Sequence, residues 1–189
     1  MRVGEICALK WTDINFEANT IRITKTLDMP DHNMRKYKLT PPKTKKSIRE
    51  FGVDEEIISM LKRHKTKQEA KKLKERSKYQ DYNDENFVFC RDNGYPYSSR
   101  FNYDRMKSLL KKSTIKKNAG PHIFRHTHVT MLTEAEVDLK TIMDRVGQQD
   151  SKTTLGVYTH VTDKMKKDAG ENIKIKYGEL LKLVKPKVM

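Results

Sequence analysis

The chain has 189 residues, with 40 Lys and Arg against 25 Asp and Glu, a formal net charge of +15 and an isoelectric point near 9.7. That length suits one domain with a lean core, because apolar residues make up only 35%. No run of about 18 apolar residues occurs, and the start Met1-Arg2-Val3-Gly4-Glu5 lacks an apolar signal core, so neither a membrane span nor secretion is indicated. Cys7 and Cys90 are far apart, give no disulfide framework and no zinc pattern, and are expected as two buried thiols. A domain this basic most often meets phosphate, and nucleic acid is the commonest phosphate polymer.

The first segment is helical in pattern, with Val3, Ile6, Leu9 and Trp11 near the helical period. Asp13 and Asn15 mark a turn. Residues 19–27 alternate, with Ile21 and Ile23 on one face, and predict a strand. Pro30 and Asp31 predict a loop. Residues 37–53 predict a second strand pair, with Pro41-Pro42 confined to an edge and Lys43 to Lys46 forming a turn at its tip. Asp54 is a good N-cap for a long helix whose first turn holds Glu55 and Glu56. From Lys62 to Lys78 that helix carries nine Lys or Arg against two Glu. This is either a solvated face or a DNA-backbone contact surface.

Phe87-Val88-Phe89 predicts a short apolar strand, and Asp92-Asn93-Gly94 a turn. Ser98 or Ser99 starts a helix containing Phe101, Met106, Leu109 and Leu110. After Gly120-Pro121, a helix runs from about His122 to Glu134, with Phe124, Val129, Met131 and Leu132 as core candidates. Asp138 caps a short helix with Leu139, Ile142, Met143 and Val146, and Gly147 fits its C-terminal end. A further helix holds Leu155 and Val157 and reaches Tyr158. Residues 163–189 carry eight Lys against four Asp or Glu; Ile173, Ile175 and Tyr177 alternate, while Leu180, Leu181 and Val184 fit a helix. Strands early and helices thereafter predict an α+β, mainly α domain.

Three segments carry chemistry. In His122-Ile123-Phe124-Arg125-His126-Thr127-His128, positions 122, 125 and 126 share a helix face. Histidine beside arginine makes an anion site: the guanidinium grips oxygens through its planar fork, and the imidazole takes or gives a proton. The arginine repels a cation and no carboxylate lies next to it, which argues against a metal centre. The second segment is Thr153-Thr154-Leu155-Gly156-Val157-Tyr158-Thr159-His160, whose tyrosine follows Arg125 by 33 residues. The third is Arg2-Val3-Gly4-Glu5 followed by Leu9-Lys10-Trp11-Thr12-Asp13.

Each motif alone is modest, but their order and spacing together are specific. The chain resembles the catalytic domain of the tyrosine recombinases, the phage integrase family, from residue 2 to about 162. The nearest look is of integrases from phages and conjugative elements of low-GC Gram-positive bacteria. The resemblance implies a mainly α fold with a small three-stranded antiparallel sheet near the N-terminus. It makes Arg2 and Arg125 the two catalytic arginines, His122 the histidine of the His-x-x-Arg box, Lys43 the hairpin lysine and Tyr158 the nucleophile. Glu5, His126 and His160 become supporting residues, and Lys45, Lys46, Lys62, Arg63 and Lys65 candidate DNA-backbone contacts. Gln148 stands where the family commonly has histidine. It can donate a hydrogen bond to phosphate but exchanges no proton at neutral pH, so reduced activity is expected.

The implied reaction is site-specific recombination or integration through a 3′-phosphotyrosine, with no metal and no cofactor. The implied partners are double-stranded DNA attachment sites, a homotetramer on synapsed DNA, and host or phage accessory DNA-bending proteins, in the bacterial cytoplasm at the nucleoid and without a membrane. Arg2 stands nearly first in the chain, so residues 1–162 are expected to be an N-terminally truncated catalytic domain and 163–189 a tail that docks in trans, folds back in cis or is disordered. Two rivals remain: a non-catalytic or impaired DNA-binding remnant, and a type IB topoisomerase-like relaxation activity.

Overall fold

A computed structural model describes residues 1–42, 44, 47–116, 119–147 and 154–156. Arg2 caps the short helix α1 (Val3–Cys7), and the Glu5 carboxylate reaches back to accept the Arg2 backbone N–H at 2.7 Å. A single tight turn of helix at Trp11–Asp13 leads into strands β1 (Ile14–Asn15), β2 (Thr20–Ile23) and β3 (Thr26–Asp28). Strands β4 (Lys38–Thr40) and β5 (Arg49–Gly52) follow. Four helices complete the described chain: α2 (Glu55–Glu75), α3 (Ser99–Lys111), α4 (His122–Glu134) and α5 (Leu139–Val146), with residues 154–156 again helical.

The expected three-stranded antiparallel sheet is present in the order β1-β2-β5, with Ile21 opposite both Ile14 and Phe51. The expected strand over 19–27 is broken in two. Continued alternation after Ile21 and Ile23 would carry Lys25 into the apolar face. Its ammonium instead lies 2.6 Å from the Asp13 carboxylate, and β2 ends at Ile23. The next strand, β3, joins a separate two-stranded sheet with β4, Leu27 opposite Leu39. The strands of residues 37–53 therefore do not pair with each other: β4 pairs with β3, and β5 with β2. The expected strand at 87–89 is reduced to isolated bridges, Lys10 to Phe87 and Cys90 to Pro96.

Asp54, Ser98 and Asp138 cap α2, α3 and α5 through their side chains, accepting from the backbone N–H of Glu56, Phe101 and Thr141. Gly147 ends α5 in the left-handed conformation with φ 65°, as its sequence position predicts. The main core gathers Leu9, Ile14, Ile21, Ile23, Ile58 and Val88, with Trp11, Phe51 and Leu61 packed against it. Gln68 on α2 fastens that helix to the core's edge: it accepts from Trp11 Nε1 at 2.7 Å and donates to the carbonyls of Phe87 and Val88. A second cluster, Cys7, Ala8, Leu27 and Phe87, seats α1 on β3. The approach is close: a Cβ on Gly4 would lie 2.5 Å from Thr26 Oγ1. Cys7 is buried, whereas Cys90 is only half-buried; burial pushes both thiols up to about 11, so neither is a reactive thiolate near neutral pH. No described helix is long and apolar enough to cross a membrane.

The third cluster, Val129, Ile142 and Val146 with Leu132 and Val137, joins α4 to α5. Of the four core candidates on α4, Val129 is buried and Leu132 packs on it, but Phe124 and Met131 are 67% and 60% exposed. The inward stripe is Arg125, His128, Val129 and Leu132, the i, i+3, i+4, i+7 pattern; Phe124 and Met131 fall outside it. Leu109 on α3 is likewise exposed, at 58%.

Candidate anion-binding site

Four stretches of chain meet at one place: the start of α1, the segment entering β5, the inward face of α4 and the C-terminal end of α5. Glu5 lies at their centre, 2% exposed. Its carboxylate accepts from Arg2 Nη1 at 3.0 Å and from Arg49 Nη1 and Nη2 at 3.2 and 3.0 Å. Burial alone would raise the Glu5 pKa, but the bonds from Arg49 and Arg2 outweigh it and hold the carboxyl below its ordinary value.

Arg2 is oriented on several sides. Nη1 donates to Glu5 and, at 3.3 Å, to Ser47 Oγ; Nη2 donates to the Gly147 carbonyl at 3.0 Å. Those contacts occupy three of its five N–H groups, and the side chain remains 40% exposed. Among the described residues, two of its donors have no partner, which suits an oxygen-rich anion. Arg125 projects from α4 toward the same place. Its burial, then the charges of Arg2 and Arg49, push its pKa down to about 10, against the opposing pull of Glu5. It stays charged at pH 7. Three guanidiniums and one carboxylate give this cluster a net charge of +2. A cluster of that kind favours an arriving anion, because the anion offsets repulsion already present between the cations.

His122 and His126 are exposed on α4, whereas His128, which the motifs do not single out, turns inward. Arg145 Nε approaches His128 Nε2 at 3.3 Å, so that ring nitrogen accepts and the ring is neutral. Burial first, then Arg145, lowers the His128 pKa. The unfolded chain binds the His128 proton more readily than the folded one, so this group's contribution is complete above its ordinary pKa near 6.5 and declines as pH falls below it. Replacing His128 with Gln should flatten the thermal-stability profile between about pH 5 and 7, measured by calorimetry; an unchanged profile would contradict this.

Ser47 and Arg49 belong to the site as well, and no motif marks them. Arg49 is 6% exposed and donates through Nε to the Arg145 carbonyl at 2.9 Å. The alternation of β5 was the available signal, since Arg49 shares a face with Phe51 rather than with exposed Glu50. Lys43, Lys45, Lys46, Gln148, Tyr158 and His160 lie outside the described residues. On α2, Lys65 lies against the Phe16 ring and near Glu69, and Lys71 and Lys72, with Arg76 and Lys78 just beyond its end, have carboxylate partners. Lys62, Arg63, Lys67 and Lys74 are in no ion pair among the described residues; Arg63, Lys67 and Lys74 fall on one outward face.

The family model described as the phage integrase family matches residues 1–165, and the chain belongs to that family. Among curated relatives, a XerC-like tyrosine recombinase from Caldanaerobacter subterraneus subsp. tengcongensis is 34% identical over 179 residues, covering 92% of this chain and 46% of the relative. The integrase of Staphylococcus phage L54a is 36% identical over 174 residues, covering 92% and 48%. The chain thus spans about half the length of these relatives. Its fold is shared with the Tn1549 transposon integrase, solved in complex with circular intermediate DNA, at a TM-score of 0.72 and 24% identity, over 92% of this chain and 56% of that one.

Proposed function

We propose that the chain performs the strand-cleavage and rejoining step of site-specific DNA recombination, as the catalytic part of a phage or mobile-element integrase. The observation that carries this reading is the convergence of Arg2 and Arg125 at a site with a net charge of +2, anchored on Glu5. Family membership and the DNA-bound Tn1549 integrase support it.

In this reading Arg2 and Arg125 bind the non-bridging oxygens of one phosphodiester. They offset the charge that builds in the transition state. The Tyr158 hydroxyl, ordinarily a poor nucleophile with a pKa near 10, attacks phosphorus while His122 takes its proton. The bond to the 5′ oxygen breaks and Lys43 protonates that oxygen. The products are a 3′-phosphotyrosine and a free 5′ hydroxyl. Rejoining reverses these steps, so the phosphoester energy is conserved and the reaction needs neither metal nor nucleotide cofactor. Gln148 donates a hydrogen bond to the phosphate, and His126 and His160 support the site.

Residues 1–162 form the catalytic unit in this reading, and 163–189 dock on a neighbouring protomer within a homotetramer on synapsed attachment sites, in the bacterial cytoplasm, with accessory DNA-bending proteins. Arg63, Lys67 and Lys74 supply sequence-independent grip. Replacing all three with Gln should lower the slope of log affinity against log salt by about 2–3, at roughly 0.9 for each phosphate no longer neutralised; an unchanged slope would remove α2 from the DNA-binding surface.

Covalent capture from a pool of nicked duplexes of randomised sequence tests the proposal. Capture at a preferred sequence supports it. Binding without capture supports the DNA-binding remnant, and plasmid relaxation without site preference supports a topoisomerase. Replacing Gln148 with His should increase the capture rate, because histidine adds proton exchange; no gain would count against the role given to Gln148.

A further inference from the structure

We propose that Arg49 is a positioning residue for Arg2, one of the two phosphate-binding arginines, acting through Glu5 and through the end of α5. Its place in the reaction rests on the strand-cleavage reading; its geometry does not. At 6% exposure the Arg49 side chain is not available to grip DNA. Its guanidinium is spent inside the protein instead: Nη1 and Nη2 fork onto the two Glu5 oxygens, Nη1 also reaches the Ser47 carbonyl at 2.9 Å, and Nε reaches the Arg145 carbonyl at 2.9 Å.

Two routes run from these bonds to Arg2. By the first, the fork fixes the rotation of the Glu5 carboxylate, whose Oε1 receives Arg2 Nη1 and whose Oε2 receives the Arg2 backbone N–H. By the second, Arg49 holds α5 at Arg145, two residues before Gly147. The Gly147 carbonyl receives Arg2 Nη2 and, at 3.4 Å, the Ser47 hydroxyl. Both terminal nitrogens of Arg2 are therefore oriented by groups that Arg49 holds. Contact at this junction is tight: a Cβ on Gly147 would lie 2.6 Å from Arg49 Nη1. A lysine cannot reproduce the arrangement. Its ammonium offers three donors from one point, whereas the bonds to Glu5 and to Arg145 require donors spread across a rigid plane.

The 189-residue chain tests this with inorganic phosphate as the probe. Phosphate affinity is measured by titration, and thermal stability by calorimetry, for the wild type, Arg49→Lys, and the paired Glu5→Gln/Arg49→Met. The pair removes both buried charges together, so that neither is left uncompensated. Positioning predicts that both variants unfold cooperatively and bind phosphate about 10- to 100-fold more weakly, the range seen when groups orienting a metal ligand are removed. A structural role alone would lower the melting temperature and leave the affinity of the folded protein unchanged. That result in either variant overturns the proposal. So does a wild type that binds no phosphate. If the paired variant does not fold, Arg49→Lys decides; unfolding of both marks Arg49 as structural and also overturns it. Covalent DNA capture is followed in parallel. A wild type that binds phosphate with the predicted losses in the variants, yet captures no DNA, rejects the strand-cleavage reading and leaves the role of Arg49 standing.

Discussion

Replacing Arg125 with Met is expected to reduce strand cleavage by about 10²–10³-fold while the chain stays folded. The rate loss follows from removing one preorganised donor from the charge that develops on phosphate. The stability expectation follows from the site's own electrostatics. Arg125 is half-buried, and burial together with Arg2 and Arg49 opposes its charge by more than Glu5 favours it. An apolar side chain of similar reach removes that opposition. Activity and stability should therefore move apart, as they do where a fold carries strain for its function. Single-turnover cleavage and calorimetry on the same preparation check both halves. A fall in melting temperature that accounts for the rate loss would contradict the assignment.

Glu5→Gln should destabilise the fold by about 3–5 kcal/mol, because it leaves the buried Arg49 guanidinium without its counter-charge. For a chain of this size that is roughly 6–20 °C in melting temperature. The same substitution should change the acid limb. The Glu5 pKa is lowered on folding, so its stabilisation is present above the ordinary carboxylate value and is lost as pH falls through the lowered one. The variant should lack that loss. Urea unfolding as a function of pH measures both effects, and a destabilisation below about 1 kcal/mol would show that Glu5 is not the hub of the cluster.

Much of the scaffold is readable from local rules. Asp54, Ser98 and Asp138 announce helix starts because a short polar side chain satisfies the first backbone donors, and the structure uses all three. Gly147 announces an end for the matching reason. Strand partners were not readable, because pairing is decided by distant segments. Nothing near Ile23 says that β2 will meet β5 while β3 meets β4. At the break between them Lys25 pairs with Asp13.

For the site, the motifs locate Arg2, Glu5 and Arg125, but not the partners that aim them. Arg49 looks like one more cation in a basic chain until β5 and α5 are brought together. His128 is obscured by the more conspicuous His122 and His126. Phasing α4 on Val129 and Leu132 would have turned it inward, and would have turned Phe124 and Met131 out.

The central claim is that Tyr158 forms a covalent bond to DNA phosphate in a site built on Arg2 and Arg125. The most direct measurement is mass spectrometry of the adduct formed on nicked DNA, after nuclease and protease digestion, with Tyr158→Phe in parallel. A nucleotide attached to the Tyr158 peptide is expected in the wild type, and DNA binding without any adduct in the variant. An adduct that persists in Tyr158→Phe, or that maps to another residue, would contradict it.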